Sequence, residues 1–203
     1  MKSYLKLALT CTVALAGTET LVAQTAEGRR PVLRVRVYNY AQVDRTTLSR
    51  ATEYATWIFK NSGVDLLWVE GAPSPESEAG SDETERKVVI VGHVNQAFAR
   101  KGQTMGFANP AGTAQIFYDR VCFFAKVFSA TTSFPYPSQS IVLGHAMAHE
   151  LGHLFLLPHS GAGLMKADWT SDDYWLAVNR GLLFAADQSQ TILEQLKGRI
   201  RSN

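Results

Sequence analysis

The sequence predicts an α+β domain in which a twisted mixed sheet of four to five strands packs on helices. A small helical subdomain follows at the C-terminal end. Three observations predict this. Residues 31–94 read as strand, helix, strand and strand. An apolar helix follows at about 138–155. The tail after Ser171 carries apolar residues at helical spacing. Hydrophobic residues make up 46% of the 203 and charged residues 19%, a globular composition with enough chain for one sizeable core. No internal repeat and no linker divides the chain, so residues 24–203 are expected to form a single domain.

Each element has its own signal. From Pro31 to Tyr40, Leu33, Val35 and Val37 point one way and Arg34 and Arg36 the other, the period of a strand. Asp44 then caps a helix over Arg45–Asn61 whose buried face is Leu48, Ala51, Ala55, Ile58 and Phe59, and Gly63 ends it. Val64–Val69 is a second strand, and strand–helix–strand order predicts a parallel pair. Residues 71–86 are rich in Gly, Pro, Ser and acid and read as a solvated loop. Glu76, Glu78, Asp82, Glu83 and Glu85 lack the spacing of a calcium loop. Lys87–Val94 is the third strand, Gly102–Gly112 a loop and Thr113–Tyr118 the fourth strand. Arg120–Phe128 is apolar and ambiguous between helix and a fifth strand. Ser138 or Ser140 caps the helix that runs to about Phe155. The tail forms one or two helices, with Ile192, Leu193, Leu196 and Ile200 on one face.

The charge balance of 20 basic against 18 acidic residues gives no electrostatic case for nucleic acid or an anionic membrane. Residues 1–23 read as an export signal: Lys2 and Lys6, an apolar run from Leu7 to Gly17, then Leu21-Val22-Ala23 as the cleavage site. An uncleaved N-terminal anchor is the alternative, although the run is too short to span a bilayer. Ala8-Leu9-Thr10 is a poor lead-in to Cys11 as a lipidated cysteine. The expected location is secreted or periplasmic. Loss of Cys11 leaves Cys122 alone, so no internal disulfide can form, and burial is its expected role.

The chemistry is concentrated in one short segment. It reads His145-Ala-Met-Ala-His149-Glu150-Leu-Gly-His153-Leu-Phe-Leu-Leu-Pro158-His159, and holds four of the chain's five histidines. On a helix, His149 and His153 project from one face and can share one zinc ion. Glu150 can reach a water at that ion without binding the ion. His159 lies beyond the helix and joins the set if the chain turns back. Three protein ligands leave a fourth tetrahedral position open, as in catalytic zinc sites.

The segment resembles the active site of the metzincins, a clan of zinc endopeptidases. Their pattern is His-Glu-x-x-His-x-x-Gly-x-x-His, followed by a methionine in a tight turn. His149, Glu150, His153 and His159 match position for position, and Gly163-Leu164-Met165 resembles the methionine turn. The resemblance implies a zincin-like fold, Zn2+ held by His149, His153 and His159, and peptide-bond hydrolysis with Glu150 as general base. It also implies a peptide or protein substrate held along an edge strand, for which Ala114–Tyr118 is the candidate. Ala167 stands where some members carry a tyrosine ligand, so no such ligand is expected. The family's turn glycine is Leu156 here. A left-handed leucine costs about 1–2 kcal/mol, so either Leu156 is strained or the turn takes another path, with Pro158 supporting a break.

The remaining candidates are read more plainly. His145 is a hydrogen-bonded, partly buried histidine or a cleft residue. His93 is structural, Met165 is a turn residue or an ordinary core methionine, and Asp168 is a possible partner for a neighbouring charge. A monomer is expected, without a folded inhibitory propeptide, since few residues separate Ala23 from the first strand. Cys122 is a poor candidate for a metal-blocking thiol. Against the endopeptidase stand a non-proteolytic zinc-binding protein on the same scaffold and another zinc-dependent hydrolase. Intact Glu150 favours the first.

Overall fold

Strand β1 (Val32–Asn39) sets the frame: Leu33, Val35 and Val37 are buried on one face, while Arg34 and Arg36 occupy the other. In this computed structural model, which describes residues 30–71, 85–94, 104–109, 111–131 and 138–202, the proposed export signal and Glu76, Glu78, Asp82 and Glu83 lie outside the described residues. The Asn39 amide brackets Val43, donating to its carbonyl and accepting from its N–H at 2.8 and 2.9 Å, and so turns the chain out of β1. Helix α1 (Arg45–Asn61) starts where the Asp44 carboxylate accepts from the Thr47 N–H at 2.9 Å. Gly63, at φ +80°, then releases the chain into β2 (Asp65–Glu70).

β2 pairs parallel with one side of β1, and β3 (Arg86–Val91) pairs parallel with the other. β5 (Thr113–Phe117) continues the parallel set beside β3, and β4 (Gly106–Asn109) lies antiparallel outside it, giving the order β2-β1-β3-β5-β4. Five helices pack on this five-stranded mixed sheet: α1, α2 (Tyr118–Thr131), α3 (Gln139–His153), α4 (Ser171–Val178) and α5 (Ala186–Ser202).

Three expectations change here. The stretch expected as a loop at 102–112 contains β4, whose residues Gly-Phe-Ala-Asn are too few to show alternation. The ambiguous segment 120–128 is helix α2, so β4 supplies the fifth strand. Thr113–Phe117 is an interior strand, so the sheet edge near the histidines belongs to β4 and not to Ala114–Tyr118. The boundaries also tighten. β3 ends at Val91, α3 ends at His153, and the Ser138 hydroxyl meets that of Ser140 at 2.8 Å instead of capping the backbone.

The core lies between the sheet's inner face and the paired helices α1 and α3. Val88, Ile90, Ala114 and Ile116 meet Ala51, Ala55, Ile58, Phe59, Leu143, Met147 and Leu151 there. Gly144 permits the close crossing, because a Cβ at that position would stand 2.5 Å from the Ala51 carbonyl oxygen. Cys122 is half-buried beside Tyr118, and burial pushes its thiol pKa up, which leaves it inert near neutral pH.

On the sheet's other face, Glu85 accepts from Arg34 Nε at 2.9 Å and from Arg36 Nε at 2.6 Å. This pins the start of β3 to β1 and commits the one described acid of the candidate calcium set to two arginines. The bond to Arg36 first, and the one to Arg34 after it, holds the Glu85 carboxyl below the usual carboxylate range against the opposing effect of burial. Its stabilisation is therefore complete above the unfolded carboxyl pKa and is lost as pH falls through the depressed folded value. Replacing Glu85 by Gln is expected to cost about 1–3 kcal/mol at pH 7. It should also flatten the acid limb of a melting-temperature profile measured between about pH 6 and pH 3.

Candidate metal centre

The metal candidates sit where α3 ends and the chain doubles back beneath it. His149 and His153 share a face of α3 as their spacing requires. His149 Nδ1 lies 2.8 Å from the Leu164 carbonyl oxygen, and His153 Nδ1 lies 2.7 Å from that of Leu157. A carbonyl only accepts, so both Nδ1 atoms carry the proton and both Nε2 atoms present a bare lone pair. Those two lone pairs meet, with His153 Nε2 3.1 Å from His149 Nε2, and His159 Nε2 lies 3.1 Å from His153 Nε2 on the other side. Burial pulls the His149 pKa down to about 3 and lowers that of His153, so protonation does not relieve the repulsion.

A cation among the three nitrogens does relieve it. They lie within 4.8 Å of one another. Two ligands at about 2.0–2.1 Å on a tetrahedral zinc ion stand about 3.3 Å apart. The cluster is compatible with zinc, and its imidazole donors suit that ion.

Leu156 brings His159 back to the cluster. It adopts the left-handed conformation at φ +57°. Around it the Leu157 N–H reaches the Gly152 carbonyl at 3.4 Å and the Leu156 N–H reaches that of His153 at 2.9 Å, the Schellman close of a helix. Glycine fits that position without strain, so leucine bears the cost anticipated for it. The turn keeps the glycine-type geometry without the glycine.

Met165 is fully buried under α3. A Cβ on Gly152 would stand 2.8 Å from the Met165 sulfur, so helix and methionine touch at the glycine between the two ligand candidates. The turn is closed by the Lys166 N–H on the Gly163 carbonyl at 3.2 Å, with Gly163 at φ +73°. The Ser160 N–H donates to the Met165 carbonyl at 2.9 Å, which fastens the turn to the loop that carries His159.

Glu150 lies in the same cleft, 7% exposed. Burial alone pushes its carboxyl up to about 8, and a dication at the histidine cluster would draw it back toward the ionised form. The β4 backbone runs directly over it: a Cβ on Gly106 would stand 2.7 Å from Glu150 Cγ. The cleft, about 470 Å³, is lined by β4, by the α3 face from Ala146 to Leu154, and by Lys166, Ala167, Trp169 and Tyr174. Ala167 stands at the wall where a tyrosine ligand was considered and discounted.

The other candidates fall away from the cluster. His145 is fully buried, its Nδ1 donating to the Ile141 carbonyl at 2.8 Å, and burial pulls its pKa down to about 4. His93, expected to be structural, lies outside the cleft. Its side chain is exposed at the bend after β3, 3.7 Å from Asp119. Asp168 is exposed, and the ion pair in this region joins Lys166 to Asp173.

Sequence reasoning missed Trp169. Its indole N–H donates to the Leu164 carbonyl at 3.2 Å, the same oxygen that receives His149, and its ring stands edge-on to His149 at 6.0 Å. No spacing rule links Trp169 to His149, because a backbone oxygen joins them. β4 was also missed, and the only cue to it was Gly106 beside an aromatic.

No protein-family model and no curated protein matches the sequence. Solved structures match the fold. One is a zinc-dependent peptidase from Methanocorpusculum labreanum, 14% identical, with a TM-score of 0.50 over 79% of this chain and 98% of that one. Another is the archaemetzincin of Methanopyrus kandleri, 16% identical, with a TM-score of 0.48 over 84% and 97%. A third is metalloproteinase-II of Bacteroides fragilis, 12% identical, with a TM-score of 0.46 over 76% of this chain and 54% of that one. At these identities the likeness is one of fold.

Zinc at a hundredfold over its dissociation constant adds about 2.7 kcal/mol to stability. Adding it to chelator-treated protein should therefore raise the melting temperature by roughly 5–10 °C. Substituting His159 by Ala should remove most of that rise and lower the zinc retained after gel filtration. Full occupancy in that variant would exclude His159 as a ligand.

Proposed function

We propose that the chain is an exported zinc-dependent endopeptidase of the metzincin type that hydrolyses peptide bonds in peptide or protein substrates. The observation that carries this is the convergence of three imidazole nitrogens beside a buried carboxyl in one cleft. His149, His153 and His159 would hold the ion. Zinc supplies Lewis acidity, lowering the pKa of water to about 7 and polarising a carbonyl.

The protein's own groups do the rest. Glu150 accepts the proton of the attacking water and returns it to the departing amine, a role suited to a carboxyl whose burial raises its basicity. β4 is the edge strand and lines the cleft, which supports it as the strand along which an extended peptide would lie. Trp169 and the Leu164 carbonyl hold the plane and tautomer of His149. The basic, then apolar, N-terminal residues support export, and no helix among the described residues is long and apolar enough to cross a membrane.

A scaffold that only binds zinc has no use for Glu150 buried in the cleft. The test is the Glu150→Gln variant, digested against a peptide library beside wild type. Zinc content should stay unchanged while cleavage falls by about 10²–10⁴-fold. Undiminished cleavage by the variant would remove Glu150 as the base.

A further inference from the structure

Leu156 combines two features that the fold does not require of a leucine. Its backbone is left-handed at φ +57°, and it is 81% exposed. The Schellman close needs that backbone conformation, which glycine or asparagine provides with less strain, and it needs nothing from the side chain.

Among the described residues, the other two non-glycine residues with positive φ offer a comparison. Gln42, at φ 54°, is polar and donates its N–H to the Asn39 carbonyl. Arg180, at φ 59°, spreads its guanidinium over the Tyr54 and Trp57 rings at 5.6 Å from each centroid. Arg180 thus returns contacts to the fold. Leu156 directs an apolar side chain into solvent, and it does so at the lining of the cleft that holds the histidine cluster.

Its place in that cleft is defined. The lining residues on α3 run from Ala146 to Leu154, about 12 Å along the helix axis. Trp169 packs on His145 and His149, toward the Ala146 end. Leu156 follows the last turn of α3 and stands between His153 and His159 in sequence, at the opposite end. A peptide lying between β4 and α3 would have Leu156 at the His153 end of its path.

We propose that Leu156 is a specificity-determining residue that receives an apolar side chain of the substrate on the His153 side of the scissile bond. This rests on the peptidase reading above and deepens it from peptides in general to peptides with an apolar residue on that side. A strained residue held in place without return to the fold is the pattern expected where function sets the residue type.

The stability and activity readouts move in different directions. Wild type, Leu156→Gly, Leu156→Asn and Leu156→Met are compared for melting temperature, zinc content, and kcat and KM. The substrates are two fluorogenic peptides taken from the library digest, identical except for Leu or Ala at the selected position. Gly and Asn variants should keep their zinc and melt no lower than wild type, since strain is relieved. Their kcat/KM for the Leu peptide should drop about tenfold, mainly through KM, with little change for the Ala peptide. Met, which stays apolar, should restore the preference.

Equal kcat/KM in all four proteins, or a lower melting temperature in the Gly variant, overturns the assignment and leaves the peptidase reading standing. Absence of any cleavage by zinc-loaded wild type overturns both.

Discussion

Everything at this centre depends on which nitrogen of each imidazole carries the proton. Two backbone carbonyls settle it for His149 and His153, and both come from the segment that follows α3. Because the Nδ1 protons are committed, the Nε2 lone pairs of His149 and His153 face one another at 3.1 Å, an arrangement that a shared cation would stabilise. The loop after α3, the methionine turn and Trp169 can be understood as the scaffolding for those two hydrogen bonds. The Leu164 carbonyl belongs to the turn, that turn is fastened to the His159 loop through Ser160, and Trp169 closes on the same oxygen.

This arrangement explains why the site was more legible than its surroundings. The shared face of His149 and His153 could be read from the sequence because a helix converts a spacing of four into a shared face with no further information. His159 needed the chain to turn, and the residue that turns it breaks the usual rule. At Leu156 the local preference and the structure disagree, and the backbone hydrogen bonds of the helix close prevail over the steric preference of leucine. Trp169 was invisible for another reason. A contact routed through a carbonyl oxygen leaves no trace in residue type or spacing.

The sheet shows the same division. β1, with its alternating arginines, and α1, with an aspartate cap and a glycine stop, announce themselves, and their limits came within a residue. β4 is four residues long, and with Gly and Asn at its ends only Phe107 and Ala108 carry an apolar signal, so its existence depends on pairing with β5. Misplacing it shifted the expected substrate edge inward by one strand. The segment 118–131 is rich in Phe and Val, and such a run suits a buried strand as well as a helix face. In the structure it is helix α2, which follows directly on β5.

The contact between Gly106 and Glu150 has a consequence for how this fold can diversify. The edge of the sheet rests on the carboxylate with no side chain between them, since the missing Cβ would fall within 3 Å of both Glu150 and the Gln115 carbonyl. Position 106 is fixed, because any larger residue there moves either the acid or the strand. The roof of the cleft therefore has one fixed point, and a library that randomised the whole strand would lose most of its members at that single codon.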